Sequence, residues 1–338
     1  MNGRRTASWM AGIAAALVVV PTPGSGAATA PGAAAKASAP AAASGADPFP
    51  LSRGCFNSNG TFNHENIVSE QKKRAPIIGD KLGSRYGVSE TPHYLIFSNT
   101  DPQVTQAFLE WAEPLYANLQ RQLGIDPKER VWDGKCIVLL FNARQEFLEY
   151  ATQFDKMDAN RWNAYYAAES RGRGYPLLIH LCFPAGGRDL AALQNYFALE
   201  GTHAFFRTYK GGVRLPLWLE EGLGEYMMVQ NAPALRTAKR APAEAAARSG
   251  KDIGDVLEYP STTVLTIEEY SVCYTLVDFL LSTSGPRTRD FVLALKRRVP
   301  QGSAIQTSLG FSMSGLQDRW RAGLTGGSAS ARQPHRSS

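Results

Sequence analysis

Leu199-Glu200-Gly201-Thr202-His203, followed downstream by Leu215-Pro216-Leu217-Trp218-Leu219-Glu220-Glu221-Gly222-Leu223-Gly224-Glu225-Tyr226, is the stretch that decides how the chain is read. Residues four apart on a helix share a face, so position 199 and His203 look the same way, one turn apart. Gly211 and Gly212 stop the first helix and Pro216 starts a second, each by its backbone preference. Glu221 falls about a turn beyond that start. Its neighbours Trp218, Leu219 and Leu223 are apolar, which argues for a carboxylate turned inward rather than one on a solvated face. A single helix cannot surround a metal ion, so a site needs donors from a second element.

The flanking pattern alternates strands and helices. His93–Ser98 and Cys136–Phe141 read as strands, rich in aromatic and branched residues. Between them Asp101-Pro102 open a helix, with Val104, Phe108, Trp111, Leu115 and Leu119 at helical spacing and a stop near Gly124. A second helix spans Arg144–Phe154, and strands follow at Asn163–Ala168 and Leu177–Phe183. The helix carrying His203 starts at Asp189, a good N-cap, and ends at Tyr209. Beyond Gln230 the pattern is helical throughout, most clearly over Tyr270–Leu281, Arg287–Arg298 and Ser314–Ala322. The expected class is α+β: a small mixed sheet with helices, then a helical C-terminal half. The expected organisation is an α+β half over 51–232 and a helical half over 233–325.

The two motifs together resemble the gluzincin zinc peptidases, the clan of thermolysin and the zinc aminopeptidases, and most of all the bacterial peptidase-MA-like proteins. Apart from its first letter, the chain repeats their H-E-G-T-H-A … L-P-x-W-L-x-E-G-L-x-E-Y pattern. The resemblance covers roughly residues 92–325. It implies a metal helix with two His ligands, a glutamate helix giving the third, and hydrolysis of peptide bonds. Carried onto this chain, His203 and Glu221 are metal ligands and Glu200 is the base that takes a proton from metal-bound water. Glu225 is the acid that orients the first His, and Tyr270 stands where many gluzincins stabilise the oxyanion. The first His is absent: Leu199 holds its place and has no lone pair to give. Two protein ligands remain where catalytic zinc uses three, so zinc binding is expected to be weakened. The stand-in considered is His180, in the strand before the metal helix, which otherwise lines the cleft. The resemblance therefore implies a pseudopeptidase that binds a peptide or protein, with an active zinc peptidase using a non-standard third ligand as the alternative.

The ends carry other information. Arg4 and Arg5 precede an apolar run from Trp9 to Val20, too short to span a bilayer, and Ala28-Thr29-Ala30 offers a cleavage site. Residues 1–30 are thus expected to be a signal peptide, 31–50 an Ala/Pro-rich linker, and 326–338 a polar tail. The protein is expected to be secreted or periplasmic, with no stable membrane anchor. Three of the 36 basic residues, Arg4, Arg5 and Lys36, precede the first acid, leaving 33 against 30 acids from Asp47 onward. No dense basic block with interleaved aromatics occurs, which argues against a nucleic-acid partner. Cys55, Cys136, Cys182 and Cys273 allow either two disulfides, in any of three pairings, or buried free thiols.

Overall fold

The computed structural model describes residues 49–326 apart from 170, 171 and 173. The expected signal peptide, nearly all of the linker and the tail beyond Gly326 lie outside the described residues. Two helices, α1 (His64–Lys72) and α2 (Arg74–Leu82), lead into a five-stranded sheet of β1 (Gly87–Glu90), β2 (Tyr94–Ser98), β3 (Cys136–Phe141), β4 (Tyr165–Glu169) and β5 (Leu178–Pro184). The strand order is β1-β2-β3-β5-β4. The three central strands run parallel, and the edges β1 and β4 run antiparallel to their neighbours. The central strands are buried along their whole length, the physical reason they read as unbroken apolar runs.

Helices cover both faces. Side chains of α2 and α4 (Arg144–Tyr150) pack on one face with Leu95, Phe97, Leu139 and Cys182. On the other lie α3 (Pro102–Gln122) and α5 (Leu190–Thr208), against Tyr94, Val138, Leu181 and Tyr166. Against α5 stands the helical half: α6 (Leu217–Asn231), α7 (Arg236–Arg248), α8 (Gly254–Glu258), α9 (Ile267–Lys296), α10 (Gln301–Leu309) and α11 (Met313–Thr325). The protein is α+β, with its C-terminal half mainly helical.

Local chemistry sets the boundaries. Asp101 caps α3 by accepting from the Gln103 amide at 2.7 Å, and Asp189 caps α5 by accepting from the Ala192 amide at 3.1 Å. Thr266 and Glu269 form a reciprocal capping box at the start of α9. The two helices expected over 270–281 and 287–298 are the two arms of α9, separated by a kink at Ser284 (φ −147°, ψ 34°), two residues before Pro286. Proline has no amide to donate and crowds the turn before it, so the hydrogen-bond ladder of the first arm stops there and a second arm begins. The helix expected through Phe154 is α-helical only to Tyr150 and finishes as a π-turn, Ala151–Asp155. All four cysteines are buried thiols, so the two-disulfide alternative is not realised. Among the described residues no helix is long and apolar enough to cross a membrane.

Glycine lets α6 come close to both its neighbours. A Cβ on Gly222 would lie 2.3 Å from the Cys273 carbonyl oxygen of α9. One on Gly224 would lie 2.7 Å from both His203 Nε2 and Leu199 Cδ1 of α5. Any side chain at either position would push the helix pair apart.

Candidate functional site

That close packing brings the carboxylates of α6 onto the ring carried by α5. Glu221 Oε2 lies 3.6 Å from His203 Nε2, and Glu200 Oε2 lies 3.7 Å from His203 Nδ1. None of the three residues is more than 7% exposed, so they meet in a medium that screens charge poorly. Both distances exceed hydrogen-bonding range, and neither ring nitrogen has a hydrogen-bond partner among the described residues. Burial alone would lower the imidazole pKa, but the charges of Glu221, Glu200 and Glu220 outweigh it and raise it. Burial also raises Glu221, with His203 opposing. The cluster thus favours a bound positive charge, which is the proton when nothing else supplies it.

The remaining expected residues fall as follows. Leu199 is half-buried, and its Cδ1 touches the point above Gly224 that His203 Nε2 touches. The two atoms are therefore no more than 5.4 Å apart, the sum of those two 2.7 Å contacts. Tyr270 sits in the first turn of α9, buried, and its phenol is pushed up by burial and by the charges of Glu221, Glu225 and Glu200. Glu225 is buried and paired with Lys239 Nζ of α7 at 2.7 Å. Burial pushes its carboxyl up and Lys239 offsets part of that. The orienting role that the resemblance gives Glu225 is thus contested by a lysine.

His180 belongs elsewhere. Side chains alternate along a strand, and His180 pairs in register with Ala167, whose face is that of α2 and α4. Its ring donates to or accepts from Asp155 Oδ2 at 2.9 Å and stands edge-on to Tyr150. The sheet separates it from His203, so neither the stand-in ligand nor the cleft-wall role is open to it.

Sequence reasoning missed two participants. Tyr166, on the edge strand β4, donates to Glu220 Oε1 at 2.7 Å, and its ring centroid is 5.9 Å from that of His203. Glu220 is as buried as its neighbour Glu221 and leaves Oε2 without a hydrogen bond. The strand carrying Tyr166 was legible; which of Tyr165 and Tyr166 faces α5 and α6 depends on a register of one residue.

As a metal centre the cluster is one donor short. His203 and Glu221 fit a divalent cation in chemistry, charge and orphaned ring nitrogen, and Glu200 stands beside them as a base would. The third direction is filled by a leucine, and a catalytic site needs three protein donors. No protein-family model matches the chain, and no curated protein is significantly similar to it.

Proposed function

We propose that the chain is a gluzincin-type peptidase fold that has lost or nearly lost zinc hydrolysis and retains binding of a peptide or protein. One observation carries the reading. Glu200, His203 and Glu221 converge on facing helices while the position one turn before His203 holds a leucine packed on Gly224. Residues with no shared task have little reason to bury two carboxylates against one imidazole, because each buried charge costs free energy. An inherited site explains the cost. Tyr166, bonded to Glu220, and Tyr270, in the first turn of α9, complete the buried polar surroundings of the cluster.

The alternative is a working zinc peptidase whose third ligand is Glu220, favoured by that residue's burial and its unpaired oxygen. Purified, undialysed wild type and a His203→Ala variant separate the two. Under the proposal, metal content is the same in both and neither cleaves a quenched peptide library in a chelator-sensitive way. Loss of about one zinc per chain on His203→Ala, with chelator-sensitive cleavage by wild type, would establish the peptidase instead.

A further inference from the structure

The other face of the sheet holds a second polar cluster, independent of the reading above. Asp155 ends the π-turn after α4, and His180 and Cys182 lie two apart on β5, so both strand residues point to the same side. One ligand atom from each of the three lies within 4.8 Å of the other two. All three are buried, Cys182 completely, among Tyr150, Phe154 and Tyr165.

The surroundings are arranged as a metal site requires. His180 presents Nε2 to Asp155 Oδ2 at 2.9 Å, while its Nδ1 faces Glu169 Oε1 at 3.7 Å, an ion-pair distance just beyond hydrogen-bonding range. Glu169 is in turn held by Arg74 Nη1 at 2.6 Å. A ligating histidine characteristically has its second nitrogen turned to a carboxylate, which fixes the ring and leaves the first nitrogen for the metal. The Tyr165 hydroxyl donates to the same Asp155 oxygen at 2.8 Å and also meets the Cys182 thiol. It therefore places a fourth donor atom, an oxygen, beside the other three. Asp155 reaches this position through a π-turn closed by Lys156 in the left-handed region (φ 57°). Such turns cost backbone energy and concentrate at functional sites.

We propose that Asp155, His180 and Cys182, with the Tyr165 hydroxyl oxygen as the fourth donor, form a closed structural site for a thiophilic divalent cation of the zinc type. Thiolate, imidazole and carboxylate together are a donor set that zinc takes readily and magnesium or calcium does not. The charges balance. On binding, the Cys182 S–H bond breaks, its proton leaves to solvent, and the sulfur electron pair goes to the metal. The 2+ ion then meets one thiolate and one carboxylate, while Arg74 and Glu169 neutralise each other. The ion would tie the π-turn after α4 to the middle of β5.

Cobalt(II) is the probe, since a cobalt–thiolate bond gives a near-ultraviolet charge-transfer band, and His203→Ala reports any band arising at the His203 cluster, where the thiol at hand is Cys273. Full-length protein is refolded with one equivalent of cobalt(II), as wild type, Cys182→Ser and His203→Ala. The expected result is a thiolate band in wild type, unchanged in His203→Ala and abolished in Cys182→Ser. Absence of the band in wild type, or its survival in Cys182→Ser, overturns the proposal. Because Cys182→Ser is a core change that could prevent folding, X-ray absorption on zinc-loaded wild type gives a second test. One sulfur at about 2.3 Å among lighter donors is expected. A shell of nitrogen and oxygen alone overturns the site while leaving the His203 cluster untouched, and a protein that takes up no zinc overturns it too.

Discussion

Leu199→His is the substitution that tests the reading of the helix pair most directly. The leucine Cδ1 and His203 Nε2 converge above Gly224, so an imidazole of similar reach at 199 would enter the same space beside His203 and Glu221. A four-ligand structural zinc site is worth ~10–16 kcal/mol, or about 2.5–4 kcal/mol for one ligand's share. An unsupported ligand is worth less: loss of an outer partner costs about 10–100-fold, or roughly 1.4–2.7 kcal/mol. Glu225, the partner the new ring would need, is held by Lys239 at 2.7 Å. The net gain expected is therefore about 1–2.5 kcal/mol, roughly 5–70-fold in zinc affinity. Freeing Glu225 by Lys239→Met on the Leu199→His background should recover much of the remaining factor. The assay is calorimetric titration with zinc, in which Leu199→His should add a binding step that wild type lacks. Adding Glu221→Gln should remove that step again. Identical isotherms for wild type and Leu199→His would refute the argument, as would a new step that survives Glu221→Gln.

Two further outcomes follow from the packing and the buried charges. Gly222→Ala should destabilise the fold, because the new methyl meets the Cys273 carbonyl at 2.3 Å, and overpacking of about 1–3 kcal/mol exceeds the ~1 kcal/mol gained in helix propensity. Gly323→Ala, on the exposed side of α11 with nothing nearer than Phe279 at 3.5 Å, should stabilise it; urea unfolding of the two variants giving the same sign would contradict the close-approach reading. Lys296 is buried with its ammonium on the carbonyls of Phe206, Gly211 and Val213. Burial lowers its pKa to about 7, with Glu220 opposing. The folded state therefore releases this proton near pH 7 while the unfolded chain keeps it to about 10.4. Stability contributed by the site should rise with pH across that window, by up to about 1.4 kcal/mol per unit. Unfolding measured at pH 7, 8 and 9 should accordingly show wild type gaining on Lys296→Met; a constant difference would mean that the amine stays charged.

The strands and helices around the site were legible because each carries a local signal. Asp101-Pro102 and Asp189 mark helix starts by capping chemistry, and the central strands read as apolar runs because both their faces are covered. The helix pair was legible too, since Glu221 among Trp218, Leu219 and Leu223 is a local pattern that only an inward carboxylate explains. What lay outside local reach was every choice set by a partner distant in sequence. The face of the sheet taken by His180 follows from one residue of register with β4, and that register also turns Tyr166, not Tyr165, toward Glu220. Lys239 reaches Glu225 only because α6 and α7 both pack on α9. The thiols of Cys136 and Cys182 sit on adjacent strands but alternate to opposite faces of the sheet, so proximity never becomes a bond. Sequence fixes which side chains an element carries and which share a face. Only the packed sheet and helices decide which faces meet, because that depends on the mutual fit of surfaces far apart along the chain.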